Sequence, residues 1–379
     1  MNVGLVCYGD LDTNTGGFRY DRQLVKGLRE RGDRVEVIEL PWRDYAYGLL
    51  DGLSGRLLGR LDVPVDVLLQ DELAHPSLVG LNRRLRARRD VPIVAIVHHL
   101  RCSEAHPRPA KRLYRAVEGR YLAGVDGVIC NSEATLETVE TLATAETMVA
   151  PPAGDRFDPA IGPSTIEAHA RESGPLRVVF LGSLVPRKGL DTLIEGLSRL
   201  PDEHWRLQVV GSPEANPGYV SSVRRLVAGL GVGDRVIFAG ELPDSALRDV
   251  LHGSHVLAMP STHEGFGIAY LEGMSFGLPA LATTAGGARS VVTHGETGFL
   301  LRPDDPGAAA RAVRALEADR ERLARMGQAA RKRYEAWPTW TETTDRVWAF
   351  LDGFVADSTE PTERSQHRNH AGAVDRVEP

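Results

Sequence analysis

The stretch from Ser261 to Gly277, STHEGFGIAYLEGMSFG, sets Glu264 and Glu272 eight residues apart around a Gly-Phe-Gly turn. The apolar run Val256 to Pro260 reads as a strand, Gly265 to Gly267 as a turn and Ile268 to Phe276 as a helix. The free N–H groups of the helix's first turn, and its positive dipole end, then open onto the turn, a setting suited to a phosphate. Glu264 falls in the loop at the mouth and Glu272 about one turn into the helix. Carboxylates are poor phosphate ligands but good acceptors for sugar hydroxyls. The pair therefore points to a sugar joined to a phosphate. The bland alternative is a plain strand-turn-helix in which Glu264 favours the helix dipole and Glu272 faces solvent.

Three other places carry residues with chemical potential. Asp10 to Gly17, DLDTNTGG, lies between a strand and a helix, and Gly16-Gly17 lets backbone approach a phosphate or sugar closely, though a tight turn alone would also use them. Asp10-Leu11-Asp12 spells an Asp-X-Asp pattern, but no further ligand pattern accompanies it and no metal is expected. His98-His99 follows the run Pro92 to Val97, where a doubly wound sheet presents residues to its ligand, although a histidine near a strand end also serves structure alone. In FLGSLVPRKGLDTLIEGL, Phe180 to Leu197, Arg187 and Lys188 precede a helix, where the dipole disfavours cations, so their place calls for a reason such as a leaving diphosphate.

Short apolar runs alternate with amphipathic stretches and must position these residues. In the first half the runs are Val3 to Tyr8, Arg34 to Leu40, Val65 to Gln70, Pro92 to Val97 and Gly127 to Cys130, with helical patterns at Gly17 to Arg31, Pro76 to Arg89 and Pro109 to Ala123. In the second they are Leu176 to Leu181, Arg206 to Val210, Arg235 to Phe238, Val256 to Met259 and Pro279 to Ala282. This alternation predicts an α/β protein of two doubly wound, Rossmann-like domains facing a central cleft. The expected division is 1–155 for the first, acceptor-side domain, 156–175 for a Pro- and Gly-rich linker and 176–337 for the second, nucleotide-sugar-binding domain. A helix over 338–356 is expected to pack back on the first domain after the Trp337-Pro338 break, and 357–379 to be disordered.

A chain of 379 residues with 42% hydrophobic and 25% charged residues suits two globular domains. Its three cysteines, Cys7, Cys102 and Cys130, lack metal or disulfide spacing, no apolar run approaches a membrane span, and the amino terminus lacks a basic lead, so the expected place is the cytoplasm. The net charge of −6 hides a local excess: Gly80 to Arg120 holds ten arginines and Lys111 against Asp90, Glu104 and Glu118. Solvated helix faces explain such a run, and so does peripheral contact of residues 80–120 with an anionic membrane or acceptor. Nucleic acid is not the expected partner, because aromatics hardly interleave with the arginines.

Gly182 to Leu197, Val209 to Ser212, Gly240 to Ser261 and Glu264 to Leu300 together resemble the retaining glycosyltransferases of family 4, which have the GT-B fold. EGFGIAYLE matches the Glu-X7-Glu motif of that family, with SHVLAMPS before it and GLPALATTAGG and GETGFLL after it in the usual order. The resemblance is strong over about 176–303 and is one of topology over 1–150. It implies that Glu264 binds the donor sugar near the reacting centre, Glu272 accepts the ribose hydroxyls and Lys188, with Arg187, holds the diphosphate. It places His98 near donor sugar and acceptor, Gly16-Gly17 over the phosphate, Gly182 and Ser183 at the diphosphate turn, and Gly240, Glu241 and Leu242 at the nucleobase. Gly265, Phe266, Gly267 and Ile268 would line the phosphate and sugar with backbone. Two positions depart from the pattern: Ser183 stands where the family commonly has arginine, and Ser290 where Gly-Gly-X-X-Glu ends in an acid.

The implied activity is transfer of a sugar from a nucleoside-diphosphate sugar to a hydroxyl acceptor, lipid or glycan among the candidates, with retention and without a cofactor. A nucleotide-sugar epimerase, a phosphorylase of similar fold and a non-catalytic nucleotide-sugar binder are the alternatives. Nucleotide, sugar and acceptor are not fixed by sequence.

Overall fold

Two strands set the pattern of the first domain: Val67–Asp71 (β3) and Ile93–Val97 (β4) are buried at every residue, as central strands covered on both faces must be. With Asn2–Tyr8 (β1), Arg34–Leu40 (β2), Gly127–Cys130 (β5) and Glu146–Val149 (β6) they form a parallel sheet ordered β2-β1-β3-β4-β5-β6 in this computed structural model. Side chains alternate between the faces: Val94 and Ile96 join one core, Ile93, Ala95 and Val97 the other. The second domain repeats the plan with Leu176–Leu181 (β7), Trp205–Val210 (β8), Val236–Gly240 (β9), Val256–Ala258 (β10), Ala280–Thr283 (β11) and Gly298–Leu301 (β12), ordered β12-β11-β10-β7-β8-β9. Described residues are 1–12, 16–104 and 106–359, so Thr13 to Thr15 of the glycine loop and the stretch 360–379 of the expected tail lie outside them.

In each sheet the winding reverses beside the first strand, between β1 and β3 and between β7 and β10. Ligands of doubly wound sheets lie beyond the carboxyl ends at such points. His98 follows β4, Lys188 follows β7 and Glu264 follows β10, so topology delivers all three to one cleft.

The segment 156–175 is more than a linker. Pro163–Ala170 is a helix that starts on its proline, packs along the helix Arg320–Glu335 and buries Ile166 against Gly277 and Gly327. Phe157 is buried in the second core against Phe276, with ring centroids 5.7 Å apart. The crossing proper is thus shorter and ends before residue 157.

The chain crosses once more after Trp337. The helix Trp340–Thr359 lies along the helix Gly16–Glu30, buries Val347 and Leu351 in the first domain and stacks Phe350 and Phe354 over Gly127, where a Cβ would stand 2.7 Å from the Phe354 ring. The two crossings run side by side, tied by Trp337 Nε1 donating to the Pro152 carbonyl at 3.1 Å and Thr343 Oγ1 to that of Pro151 at 2.9 Å. Among the described residues no helix is long and apolar enough to cross a membrane.

Candidate functional site

Gly267, at φ 95°, opens the helix Ile268–Ser275. That left-handed turn is natural only to glycine, and it aims the helix start into the cleft. Behind it, Gly287 N–H donates to the Glu264 carbonyl at 2.7 Å, and a Cβ on Gly286 or Gly287 would overlap the backbone of Glu264 or Gly265. The glycine pair therefore sets how closely the Glu264 loop seats. Ser290, in place of the family's acid, donates its N–H to Gly287 and accepts from Arg333 at its carbonyl.

Lys188 reaches this loop from the turn Pro186–Lys188. Gly189, at φ 69°, closes that turn where a side chain would strike the Pro260 carbonyl, and Thr262 N–H donates to the Arg187 carbonyl at 2.8 Å. The result is a buried ion pair, Lys188 Nζ to Glu264 Oε2 at 2.5 Å, with Ser261 Oγ donating to the same oxygen at 3.3 Å. Burial pushes the Glu264 carboxyl up, but Lys188 and Arg187 outweigh it and hold the carboxyl below its usual value. Gly182 lies against the Lys188 stem at the end of β7, with Ser183 next in the chain. Gly211 N–H donates to the Gly240 carbonyl at 2.8 Å, so the ends of β8 and β9 form the adjoining rim. Beyond Gly240, Leu242 packs on the core and Glu241 is exposed.

The first domain supplies the opposite wall. His98 Nε2 and Asp21 Oδ1 are 2.9 Å apart, Asn131 Nδ2 donates to the His98 carbonyl at 2.8 Å, and the imidazole fills the space that Gly17 leaves open. Burial disfavours the imidazolium, yet Asp21, with Asp71 and Glu72 behind it, raises His98 to about 9. Burial and Asp21 push the Asp71 carboxyl up to about 7. Across the cleft, a Cβ on Gly265 would stand 2.5 Å from the His98 carbonyl, and Ser132 Oγ donates to the Gly265 carbonyl at 3.0 Å. Beside them the His99 and His263 rings lie 4.5 Å apart, and the His99 hydrogen bond, against burial and with help from Arg187, draws Glu104 down to about 2.

Glu272 is buried on its helix, and two arginines converge on its Oε1: Arg19 from the first domain and Arg156 from the crossing, at 3.3 Å. Arg156 also binds Asp244. A polar cleft of about 750 Å³ opens beside these arginines, between Gln23, Asp155 and Trp340. The structure thus joins Glu264, Lys188 and Arg187 at one point, sets His98 opposite, and puts Glu272 with arginines that sequence reading did not single out. Asp21 left a signal, because a carboxylate shares the buried face of its helix with Phe18, Leu24, Val25 and Leu28. Arg19 and Arg156 left none.

Asp10 accepts the Asp12 N–H at 2.8 Å, a local turn contact. Asp21, Asp71 and His98 could hold an ion, as could His169, Glu172 and His255 at the other end of the second sheet. At the first, His98 Nε2 is committed to Asp21. At the second, His255 Nδ1 accepts the Arg177 N–H, which puts the ring's remaining proton on Nε2 and leaves no lone pair for a metal.

Residues 163–333 match the family described as Glycosyl transferases group 1, and residues 15–153 match Glycosyltransferase Family 4. The chain belongs to glycosyltransferase family 4. A D-inositol 3-phosphate glycosyltransferase of Streptomyces avermitilis is 33% identical over 259 residues, 64% of this chain and 55% of that protein. Its counterpart from Corynebacterium urealyticum is 27% identical over 295 residues, 74% of this chain and 68% of that protein. The alignments with the first of these relatives span about half of the relatives' length. Among solved structures, sucrose-phosphate synthase from Thermosynechococcus elongatus superposes with a TM-score of 0.79 at 21% identity, covering 94% of this chain and 99% of that one. Anabaena HepE with UDP-glucose gives 0.76 at 20%, covering 93% and 100%. These likenesses show the fold, which is GT-B.

Proposed function

We propose that this family 4 protein moves a sugar from a nucleoside-diphosphate sugar to a hydroxyl acceptor with retention of anomeric configuration. The observation that carries this reading is the buried Lys188–Glu264 pair at the opening of the helix Ile268–Ser275, faced by His98. Lys188, Arg187 and the N–H groups of Phe266, Gly267 and Ile268 take the diphosphate, while Glu264 and the backbone at Gly265 take the sugar. Glu272 accepts the ribose hydroxyls, the rim Gly182, Ser183, Gly240, Glu241 and Leu242 holds the rest of the nucleotide, and Gly16-Gly17 closes from the first domain. The bond from the anomeric carbon to the leaving phosphate oxygen breaks as the acceptor oxygen bonds on the same face, and the acceptor proton passes to that phosphate oxygen. Positioning and charge stabilisation supply the rate, with no metal in the scheme.

UDP-, GDP- and ADP-sugars are to be screened by thermal shift, and the product's anomeric configuration read by NMR. One donor is expected to raise Tm by several degrees and to give product of unchanged configuration. Inverted product removes the mechanism. A donor rearranged without acceptor indicates an epimerase, and one bound but never transferred a non-catalytic binder.

The basic segment supports a second element, contact with an anionic membrane that carries the acceptor. Much of the 80–120 excess is used within the domain, Arg86 on Asp126, Arg88 and Arg89 near Asp62 and Arg84 on the Gly52 carbonyl. Arg108, Lys111, Arg112 and Arg115 instead share one exposed stripe of the helix Arg108–Leu122, without an acidic partner among the described residues. Exposed Tyr47, Leu50 and Leu53 lie on the neighbouring segment, joined to that helix by the Tyr45–Tyr114 contact. Vesicles with phosphatidylglycerol are expected to sediment the protein and neutral vesicles to leave it in solution, and the fourfold change of the stripe to glutamine should abolish sedimentation. Equal behaviour with both vesicles sinks the membrane reading and leaves a soluble anionic acceptor.

A further inference from the structure

We infer that Arg19 is a donor-binding residue that exchanges Glu272 for the donor's diphosphate when ribose hydroxyls take that carboxylate. The inference rests on the donor site proposed above.

Arg19 stands on the first turn of the helix Gly16–Glu30 and spans the cleft to Glu272 Oε1 on the second domain. Both side chains are largely shielded, with exposures of 15% and 4%. The other arginine on that oxygen, Arg156, has independent anchors: its Nε binds Asp244 Oδ1 at 3.1 Å, and its guanidinium lies 5.0 Å from the Phe157 ring centroid. Arg19 has Glu272 as its carboxylate partner among the described residues. Of the two arginines, Arg19 is therefore the one that a competing ligand would release.

Its place favours a phosphate once released. Helical side chains lean toward the amino end of their helix, so Glu272, one turn in, draws the Arg19 guanidinium toward the first turn of Ile268–Ser275. A diphosphate there brings at least two negative charges. Ser183 contributes none. Lys188 is already paired with Glu264, and Arg187 is shared between the fields of Glu264 and Glu104. One further cation is needed, and Arg19 presents a planar, bidentate donor suited to phosphate oxygens. Because Arg19 comes from the first domain, this exchange links nucleotide occupancy to the apposition of the two domains.

The test compares wild type, Arg19→Ala and Arg19→Lys by calorimetry with UDP, GDP and ADP and with the parent nucleosides, alongside the melting temperature of each protein without ligand. For the nucleoside diphosphate that wild type binds, Arg19→Ala is expected to weaken affinity about 10- to 100-fold. Binding of the matching nucleoside should stay the same or tighten, because a competitor for Glu272 is gone. Arg19→Lys should recover part of the diphosphate affinity. Unchanged diphosphate binding in Arg19→Ala, or an equal loss for nucleoside and diphosphate, overturns the inference and leaves the donor site standing. Wild type that binds no nucleoside diphosphate overturns both. A purely structural role would lower the melting temperature without separating the two ligands.

Discussion

Lys188→Ala is expected to lower turnover roughly 10³-fold, the scale for removing one preorganised stabiliser of developing charge. The same change strands the Glu264 carboxylate in a buried setting, which costs about 3–5 kcal/mol of stability on its own. The two effects separate in a cycle. Lys188→Met with Glu264→Gln removes both charges, so the melting temperature should recover toward wild type while transfer stays low. Glu264→Gln alone should also fall by orders of magnitude, because a neutral amide leaves the Lys188 ammonium without the partner 2.5 Å away. Near-normal transfer in Lys188→Ala and Glu264→Gln, measured as kcat on folded protein, removes the site assignment.

His98→Ala should reduce turnover about 10²-fold, the scale for losing one preorganised donor beside the reacting sugar. The more telling variant is Asp21→Asn, which keeps the shape of the carboxyl and removes its charge. His98 is raised from 6.5 to about 9, so its pair with Asp21 adds stability that is complete below 6.5 and is lost as pH rises through about 9. Transfer by wild type should therefore hold to about pH 9 and decline above it. In Asp21→Asn the decline should begin at a much lower pH. Global stability is a poor readout, because Asp71, raised from 3.8 to about 7, acts in the same direction over an overlapping range: its part is gained as pH falls from about 7 toward 3.8. The imidazole resonance of His98 isolates the group. If it titrates near 6.5 in wild type, the proposed charge relation between the two residues is wrong.

Central strands were legible because burial on both faces forces continuous apolar runs, as in IVAIV of β4. The edge strands β6 and β12 were not, since ETMV and GFLL are four residues long and ETMV is only partly buried. The helix Pro163–Ala170 was hidden for another reason: its opening proline and the preceding Gly162 read as loop, while the apolar surface that fixes it lies on Gly277 and Gly327, far along the chain. In the cleft, residues bound to local turn chemistry could be found by spacing, Glu264 beside its glycines and Lys188 before Gly189. Residues that act by reaching across could not. Arg19 meets Glu272 and Ser132 meets Gly265 only after two domains have formed.

The helix Trp340–Thr359 also fixes an order of events during synthesis. Val347 and Leu351 finish a core that β1, β3, β4 and β5 begin, and Phe350 and Phe354 close over Gly127. A nascent first domain therefore leaves the ribosome with that face uncovered, and the cover arrives only after the second domain has been made, roughly 10–40 s later at ordinary elongation rates. For that interval the apolar face needs a temporary partner or invites association between nascent chains.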